Sequence, residues 1–227
     1  MIINLLNPAK EQDVRNFSYK IYSGNDFSVV SGTGFSGSNN PNGFSISYAV
    51  GTASGLSASR YVNCGSNAPM SLGQAKDGID WSKGVILATR LCKESTVNPI
   101  DSNVTFTFSL GKPSQTTYGN LTTTGVGIKF TGSGAMQLMV HNGTSLTVST
   151  DGTYVLTGYA VDIMIQSDGK GNAVLYANGV QVASCSGAPT SVSTSANNYI
   201  CFDATTSAVT TASIGVVVGR VHLQIDI

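Results

Sequence analysis

The chain has 227 residues with 12 basic and 12 acidic side chains, and only 11% of its residues are charged. Hydrophobic residues make up 41%, which is enough for a core, so the low charge does not indicate disorder. A balanced charge leaves no basic excess for phosphate groups, and we therefore expect no nucleic acid and no membrane as partners. The length predicts one domain, or at most two small ones.

The first predicted element is residues 1–15, an N-terminal arm or short helix with Asn7 as the N-cap and Pro8 as the first helical residue. Its apolar stretch is too short for a signal peptide, so we expect no signal, and no run of about 18 apolar residues occurs in the chain. The richness in Gly, Ser, Thr and Asn is nevertheless typical of extracellular β proteins. Together these features predict a virion protein released by lysis. A processed extracellular chain and an unusual cytoplasmic protein are the alternatives.

Residues 16–227 are predicted to form a single β-sandwich domain. Apolar and polar residues alternate over most of this range, the pattern of strands with one buried and one solvated face. In chain order, the apolar positions of the predicted strands are Phe17, Tyr19 and Ile21; Phe44, Ile46, Tyr48 and Val50; Val104, Phe106, Phe108 and Leu110; Val126, Ile128 and Phe130; Met136, Leu138 and Val140; Leu146 and Val148; Val161, Ile163 and Ile165; then Ala173 to Ala177 and Val180 to Ala183.

Turns and irregularities complete the prediction. Asn-Gly and Asp-Gly pairs between the strands supply the positive φ of tight hairpins, so most neighbouring strands should be antiparallel. Loops are predicted at Ser31 to Gly43 and Gly51 to Ser59, and a short helix or irregular loop near Leu72 to Lys83. In the last strand the alternation changes phase at Gly219-Arg220, which predicts a β-bulge. The fold class is all-β, an antiparallel two-sheet sandwich of the jelly-roll type.

The segment from Asp162 to Ser184 contains a strand, a polar turn, a strand that ends in LYANG and a third strand. This hairpin resembles one in the concanavalin A-like lectin/glucanase superfamily, especially in its laminin G-like members, and the resemblance covers Trp81 to Ile227. It implies two curved sheets whose concave face often binds carbohydrate.

The sequence lacks the residue patterns that glycan-cleaving and serine-nucleophile enzymes use for catalysis. Glucanases of that superfamily use paired Glu residues in an E-x-D-x-x-E strand, whereas this chain has only Glu11 and Glu94, far apart. No G-x-S-x-G motif occurs, and His141 and His222 are the only imidazoles. We therefore expect that the chain is not an enzyme.

No cofactor and no metal are expected either. Asp151, Asp168 and Asp203 fall in predicted loops, but calcium needs several converging carboxylates, and the Asp168 segment is more simply a hairpin turn. The four cysteines form no C-x-x-C motif. Reduced thiols are favoured, and a disulfide between Cys185 and Cys201 stays open.

A carbohydrate site would need an exposed aromatic ring beside amide or carboxylate groups. Trp81 next to Asp80, Tyr118 in a polar loop, and His141 with Asn142 at a turn are the candidates. Further candidate rings are Tyr61 and Tyr159. The alternative for Trp81 is an anchor in the core or at a hinge.

The leading functional hypothesis is a non-enzymatic virion structural protein, such as a bacteriophage capsid decoration or surface protein. It would assemble as a homo-oligomer with other virion proteins, because neutral Ser- and Thr-rich faces pack against neighbours without desolvating charges. The alternative is a carbohydrate-binding module or lectin domain that attaches to glycans.

Overall fold

The computed structural model describes residues 17–28, 33–64, 79–94, 100–111, 119–131, 134–150, 152–156, 160–193 and 199–226. Two short 3-10 helices, Gly24–Asp26 and Trp81–Lys83, lie in these ranges. The strands are β1 (Phe17–Tyr22), β2 (Phe35–Ser36), β3 (Asn39–Asn40), β4 (Gly43–Tyr48), β5 (Ser57–Asn63), β6 (Val85–Lys93), β7 (Val104–Gly111), β8 (Gly125–Thr131), β9 (Gln137–His141), β10 (Leu146–Val148), β11 (Val161–Ser167), β12 (Asn172–Ala177), β13 (Val180–Ser186), β14 (Tyr199–Thr206), β15 (Ile214–Gly219) and β16 (Val221–Asp226).

The strands form two antiparallel sheets, which confirms the predicted two-sheet sandwich. The larger sheet has ten strands in the order β13-β12-β11-β6-β15-β4-β2, with β16 between β6 and β1, and β3 beside β4. The smaller sheet has six strands in the order β10-β9-β8-β7-β14-β5. We call these the large sheet and the small sheet.

The core lies between the sheets and is rich in aromatic rings. Phe106 of the small sheet stacks on both Phe130 and Phe202, with ring centroids 5.6 Å apart in each case. Tyr48 of the large sheet approaches Phe106 at 6.2 Å. Each of these side chains is nearly or fully buried, and burying one such ring stabilises the fold by roughly 1.5–3 kcal/mol. The alternating apolar residues of the sequence therefore supply the inner faces of both sheets.

Tyr22, Ile21 and Val50 depart from the predicted alternation of buried and exposed residues. Tyr22, expected on the solvated face of β1, is fully buried, whereas Ile21 is 45% exposed. The cause is the register with β16, because Tyr22 lies opposite the buried Val221 and Ile21 lies opposite His222. Val50 follows β4 in a turn and is 64% exposed.

Five strands were not predicted from the sequence: β2, β3, β5, β6 and β14. β6 pairs with β11, β15 and β16 inside the large sheet, yet it corresponds to none of the predicted strands. β5 begins inside the expected loop from Gly51 to Ser59, and its inward-facing Arg60 interrupts the apolar alternation. β14 contains Asp203, which was expected in a loop but lies at the centre of the small sheet. The expected loop at Ser31 to Gly43 contains the short strands β2 and β3.

The predicted β-bulge is confirmed by the register along one edge of β6. Val218 of β15 lies opposite Leu91, and His222 of β16 lies opposite Ala88. Residues 219–221 therefore face residues 89–90, which leaves one extra residue at the predicted position. The bulge shifts the alternation so that both β15 and β16 keep their apolar residues in the core.

Other predictions fall partly or wholly outside the described residues. The predicted N-terminal arm or helix of residues 1–15 lies wholly outside the described residues. Of the predicted helix or loop near Leu72 to Lys83, the described part contains the 3-10 turn at Trp81–Lys83. The single-domain boundary at residue 16 stays a prediction. Within the part that is described, no helix has the length and apolarity to cross a membrane.

Candidate functional site

The outer face of the small sheet carries polar side chains in cross-strand register. Directly opposed residues of antiparallel strands point to the same side of a sheet. One row of opposed residues crosses five strands, and we call it the polar row: Ser59, Asp203, Thr107, Lys129 and Gln137. A second row runs beside it through Tyr61, Cys201, Ser109, Gly127 and Met139.

The middle of the polar row is enclosed. Asp203 and Thr107 are fully buried although they lie on the outer side of the sheet. The Thr107 hydroxyl donates a hydrogen bond to the Gly119 carbonyl at 3.0 Å, and Lys129 Nζ donates one to Asn120 Oδ1 at 2.7 Å. The chain at Gly119–Asn120 therefore lies over the row, and the resulting burial lowers the pKa of Lys129.

The edge of this face carries an aromatic pair, the exposed Tyr61 and the half-buried Tyr199. Their ring centroids lie 5.7 Å apart with an interplanar angle of 81°, the edge-to-face arrangement that aromatic rings prefer. Tyr61 is 39% exposed on the edge strand β5. Its backbone is fixed by Ser28, whose N–H donates to the Tyr61 carbonyl at 2.9 Å and whose hydroxyl accepts from the Tyr61 N–H at 3.0 Å. The pair thus presents a positioned ring to solvent.

Arg60 stabilises β5 from the inner face of the small sheet. Its side chain is fully buried, and its Nε donates to the Ser45 carbonyl of β4 at 2.7 Å. Its Nη1 donates to the Ser28 carbonyl at 3.1 Å and to Asn39 Oδ1. The guanidinium also lies 5.7 Å from the centre of the Phe44 ring, and burial lowers its pKa. Arg60 therefore ties β5 to the large sheet and to the segment that frames Tyr61.

Trp81 lies in the core and not at the surface. Its side chain is 0% exposed, so the ring is not available as a sugar platform, and the alternative interpretation as a core anchor is the one that fits. Asp80 caps the 3-10 turn, because its Oδ1 accepts from the Ser82 N–H at 3.1 Å and from the Ser82 hydroxyl at 2.6 Å. Both residues therefore stabilise the turn that precedes β6.

His141 and Asn142 belong to the turn after β9. His141 is buried, its Nδ1 accepts from the Gly143 N–H at 3.1 Å, and burial lowers its pKa. Asn142 is exposed, and its Oδ1 accepts from the N–H groups of Thr144 and Ser145, each at 2.9 Å.

Four of the five predicted sugar-site residues lie in the described part of the structure, as two pairs of sequence neighbours. Among the hydrogen bonds of the described residues, none joins the Asp80–Trp81 pair to the His141–Asn142 pair. Tyr118 and Tyr159 lie outside the described residues. A sugar-binding role for Asp80, Tyr118, His141 and Asn142 stays a prediction.

The remaining acidic and thiol groups show no convergent arrangement. Over the residues that the structure describes, no group of three His, Cys, Asp or Glu side chains could hold a metal. Asp168 forms the predicted hairpin turn, with its Oδ1 accepting from the Lys170 N–H at 2.7 Å, and hydrogen bonds from Asn172 and from the turn lower its pKa. The four cysteines are not joined by disulfides. Burial raises the pKa of Cys64 to about 12 and that of Cys201 well above its ordinary value, the latter with help from Asp203.

The two antiparallel sheets form a β-sandwich of the jelly-roll type. Comparisons with known proteins show similarity in the fold. No protein-family model matches the chain, and neither does any curated protein sequence. Among solved structures, HCR/D-Sa-GBL1/C has a TM-score of 0.50 at 8% identity, over 90% of this chain and 43% of that one.

Two other similar structures are an endo-β-1,4-glucuronan lyase from the fungus Trichoderma reesei and a botulinum neurotoxin type C. The lyase has a TM-score of 0.49 at 10% identity, over 91% of this chain and 93% of that one. The toxin, whose cell entry depends on interaction with two ganglioside molecules, has a TM-score of 0.48 at 12% identity, over 86% and 42% of the two chains. This chain therefore spans less than half of the toxin chain and of HCR/D-Sa-GBL1/C. At these identities the similarity concerns the fold alone, and the resemblance to the concanavalin A-like superfamily is supported no further than a β-sandwich.

Proposed function

We propose that this chain is a non-enzymatic carbohydrate-binding module in which a sugar stacks on Tyr61. The observation that carries the proposal is the exposed Tyr61 of the edge strand β5, whose ring lies edge-to-face at 5.7 Å with that of the half-buried Tyr199 on the neighbouring strand β14. A sugar ring has an apolar C–H face that packs on an aromatic ring while its hydroxyl groups need hydrogen-bonding partners. A rigid aromatic ring binds such a ligand at a low loss of conformational entropy.

Polar groups beside Tyr61 fit the hydroxyl groups of a neutral sugar. Ser59 and Ser57 lie two and four residues before Tyr61 on the same face of β5, which places successive side chains about 7 Å apart. Ser57 is exposed and Ser59 is half-buried. The one charged side chain on this face of β5 and β14, among the described residues, is the fully buried Asp203. An uncharged glycan therefore suits this surface better than an anionic one.

The chemistry of the neighbouring groups supports binding without turnover. Cys201 shares this face with Tyr61, but a thiol whose pKa is raised by burial is protonated at neutral pH and is a poor nucleophile. Glu94, on the large sheet, accepts hydrogen bonds from the Ser47 hydroxyl at 2.9 and 3.0 Å, with no second glutamate among the described residues to complete an acid pair.

A glycan array with three variants tests the proposal. We expect the unmodified chain to bind uncharged glycans and Tyr61→Ala to weaken that binding by at least about tenfold, since it removes the stacking ring. Tyr61→Phe keeps the ring and should retain most of the affinity. Val192→Ala, at a 59% exposed valine elsewhere, is the matched control and should have no effect. Equal binding by Tyr61→Ala and the unmodified chain would contradict the assignment of the site, and measurable turnover of a polysaccharide would contradict the non-enzymatic role.

A virion structural role is the second candidate, and an apolar tip of the sandwich favours it. Val50 and Val209 are 64% and 55% exposed in turns that are joined by a hydrogen bond from the Gly51 N–H to the Thr210 carbonyl at 2.9 Å. Exposed apolar side chains close together are suited to contact with a neighbouring subunit. Mass spectrometry of purified particles from the source should then find the chain in a fixed ratio to the major capsid protein. Its absence from such particles would exclude this role.

A further inference from the structure

The outer face of the large sheet is unusually apolar. Five strands lie side by side in the order β1, β16, β6, β11 and β12. One row of opposed residues across this face is Ile21, His222, Ala88, Met164 and Tyr176. The row beside it is Gln224, Ile86, Gln166 and Val174. We call these two rows the large-sheet face.

This composition departs from that of a sheet face that meets only water. Outer faces of antiparallel sheets are normally polar, with the apolar residues turned to the core. Here Ile21 is 45% exposed, and Ile86, Met164, Val174 and Tyr176 are partly exposed in the centre of the sheet. Their neighbours on the two rows are uncharged amides, an alanine and one histidine. The face therefore has the apolar centre and polar surroundings of a protein interface.

One pair of charges at the border of the face is neutralised within the chain. Arg90 of β6 lies directly opposite Asp162 of β11 and binds it through two hydrogen bonds, Nε to Oδ1 at 2.7 Å and Nη2 to Oδ2 at 3.0 Å. The two rows themselves contain no Asp, Glu, Lys or Arg, so a charged partner would find no opposing charge within them. A second copy presents the same neutral surface, and an interface with two-fold symmetry requires one patch that complements itself.

The size of the face is sufficient for a dimer. Five strands about 4.8 Å apart and six residues along each strand, a span that takes in the Arg90–Asp162 pair beside the two rows, give a flat footprint of roughly 500 Å². A biological interface should bury at least about 1,000 Å² in total, or half of that on each partner. The relief of the side chains adds to the flat estimate, so two copies would meet this threshold.

We propose that the large-sheet face joins two copies of this chain in a two-fold, back-to-back dimer. The small sheets, with Tyr61 and Tyr199, then lie on the two opposite outer sides of the dimer. The dimer does not depend on carbohydrate binding. If both hold, the two Tyr61 sites point away from each other and can engage separate chains of a multivalent glycan surface, which raises the overall avidity without any new contact.

Sedimentation analysis of the full chain tests the dimer. We expect a dimer at about 100 µM that dissociates on dilution, and a weakening of the dimer by at least about 100-fold in Met164→Glu, because each copy would bury an unpaired charge in the interface. Val192→Glu places the same charge at an exposed valine outside the two rows and should leave the dimer intact. Circular dichroism spectra and melting curves establish that both variants fold.

Three outcomes would overturn the proposal. The first is an unmodified chain that is monomeric at about 100 µM, whether or not it binds vesicles of neutral lipid through this face. The second is a dimer that folded Met164→Glu leaves unchanged, which would place the interface elsewhere. The third is a dimer that Val192→Glu weakens as much as Met164→Glu does. If Met164→Glu does not fold, Gln166→Glu at an exposed position of the same face replaces it, with the same expected weakening.

Discussion

The outer faces of the two sheets differ in the polarity of their side chains and in how far other parts of the chain bury them. The small-sheet face is polar, yet its central residues Asp203, Thr107 and Ser109 are fully buried. The large-sheet face is apolar in its centre, yet Met164 and Tyr176 remain partly open. Enclosed polar groups need hydrogen bonds from the protein itself, whereas open apolar groups are stabilised when something else covers them. The small-sheet face is thus enclosed by the chain itself, whereas the open apolar side chains of the large-sheet face are the reason for the proposed dimer.

The largest effect should come from Arg60, which anchors the small-sheet edge from beneath. Arg60→Ala would leave the Ser45 and Ser28 carbonyls and the Asn39 side chain without their donor and would open a cavity. We expect the free energy of unfolding to fall by about 3–5 kcal/mol, measured by urea denaturation. The exposed Arg220, which donates to the Pro41 carbonyl at 3.1 Å, is the control, and Arg220→Ala should lower it by less than about 1 kcal/mol. Equal effects of the two variants would show that Arg60 is no anchor.

A smaller effect is expected at Thr107, within the enclosed part of the polar row. Thr107→Val keeps the shape of the side chain but removes the hydrogen bond to the Gly119 carbonyl. The loss should lower the free energy of unfolding by about 1–2 kcal/mol, because the carbonyl is left buried without this donor. Thr131→Val, at an exposed position of the same sheet, should change it by less than about 0.5 kcal/mol. If Thr107→Val leaves the free energy of unfolding unchanged, the hydrogen bond to Gly119 does not stabilise the segment that covers this face.

The smallest effect concerns the ion pair at the border of the large-sheet face. The hydrogen bonds and charge of Arg90 hold the pKa of Asp162 below its ordinary value. A carboxyl whose pKa is lowered on folding stabilises the fold above its unfolded pKa of about 3.9, and this contribution is lost as the pH falls through the folded pKa. Because Arg90 is 57% exposed, the contribution is no more than about 0.5 kcal/mol.

Comparing Asp162→Asn with the unmodified chain at pH 7 and pH 2 checks this sign. The difference in the free energy of unfolding should be present at pH 7 and nearly absent at pH 2. A difference that grows at low pH would contradict the assignment of the pair.

The sequence alone predicted the parts of the fold that follow a simple alternation. The apolar positions of β7, β8, β9 and β11 lie in the core as expected, and so does the phase change that marks the bulge at Gly219-Arg220. Period-two alternation is a local property, and a half-buried strand displays it whatever its neighbours are. The antiparallel hairpins were predictable for the same reason, because the turn residues lie next to one another in the chain.

The candidate site was not predictable in the same way. Tyr61 was only one of several candidate rings, and both strands of the aromatic pair were missed. In β14 a signal was present, since Ile200, Phe202 and Ala204 alternate in the core, but the polar Asp203 between them suggested a loop. In β5 the inward-facing Arg60 masked the alternation. A buried polar residue looks like a surface residue in a sequence, because its hydrogen-bonding partners come from distant segments.

Composition and alternation by themselves therefore determined the all-β class, the neutral surface and most of the strands, because these depend on residue type and local period. Only the tertiary structure decided which faces are enclosed and which are open. It buried Trp81, exposed Tyr61 beside Tyr199, and assembled an apolar outer face from five strands that are scattered along the chain. Exposure is a property of strand order and register, and those are set by contacts between residues far apart in sequence.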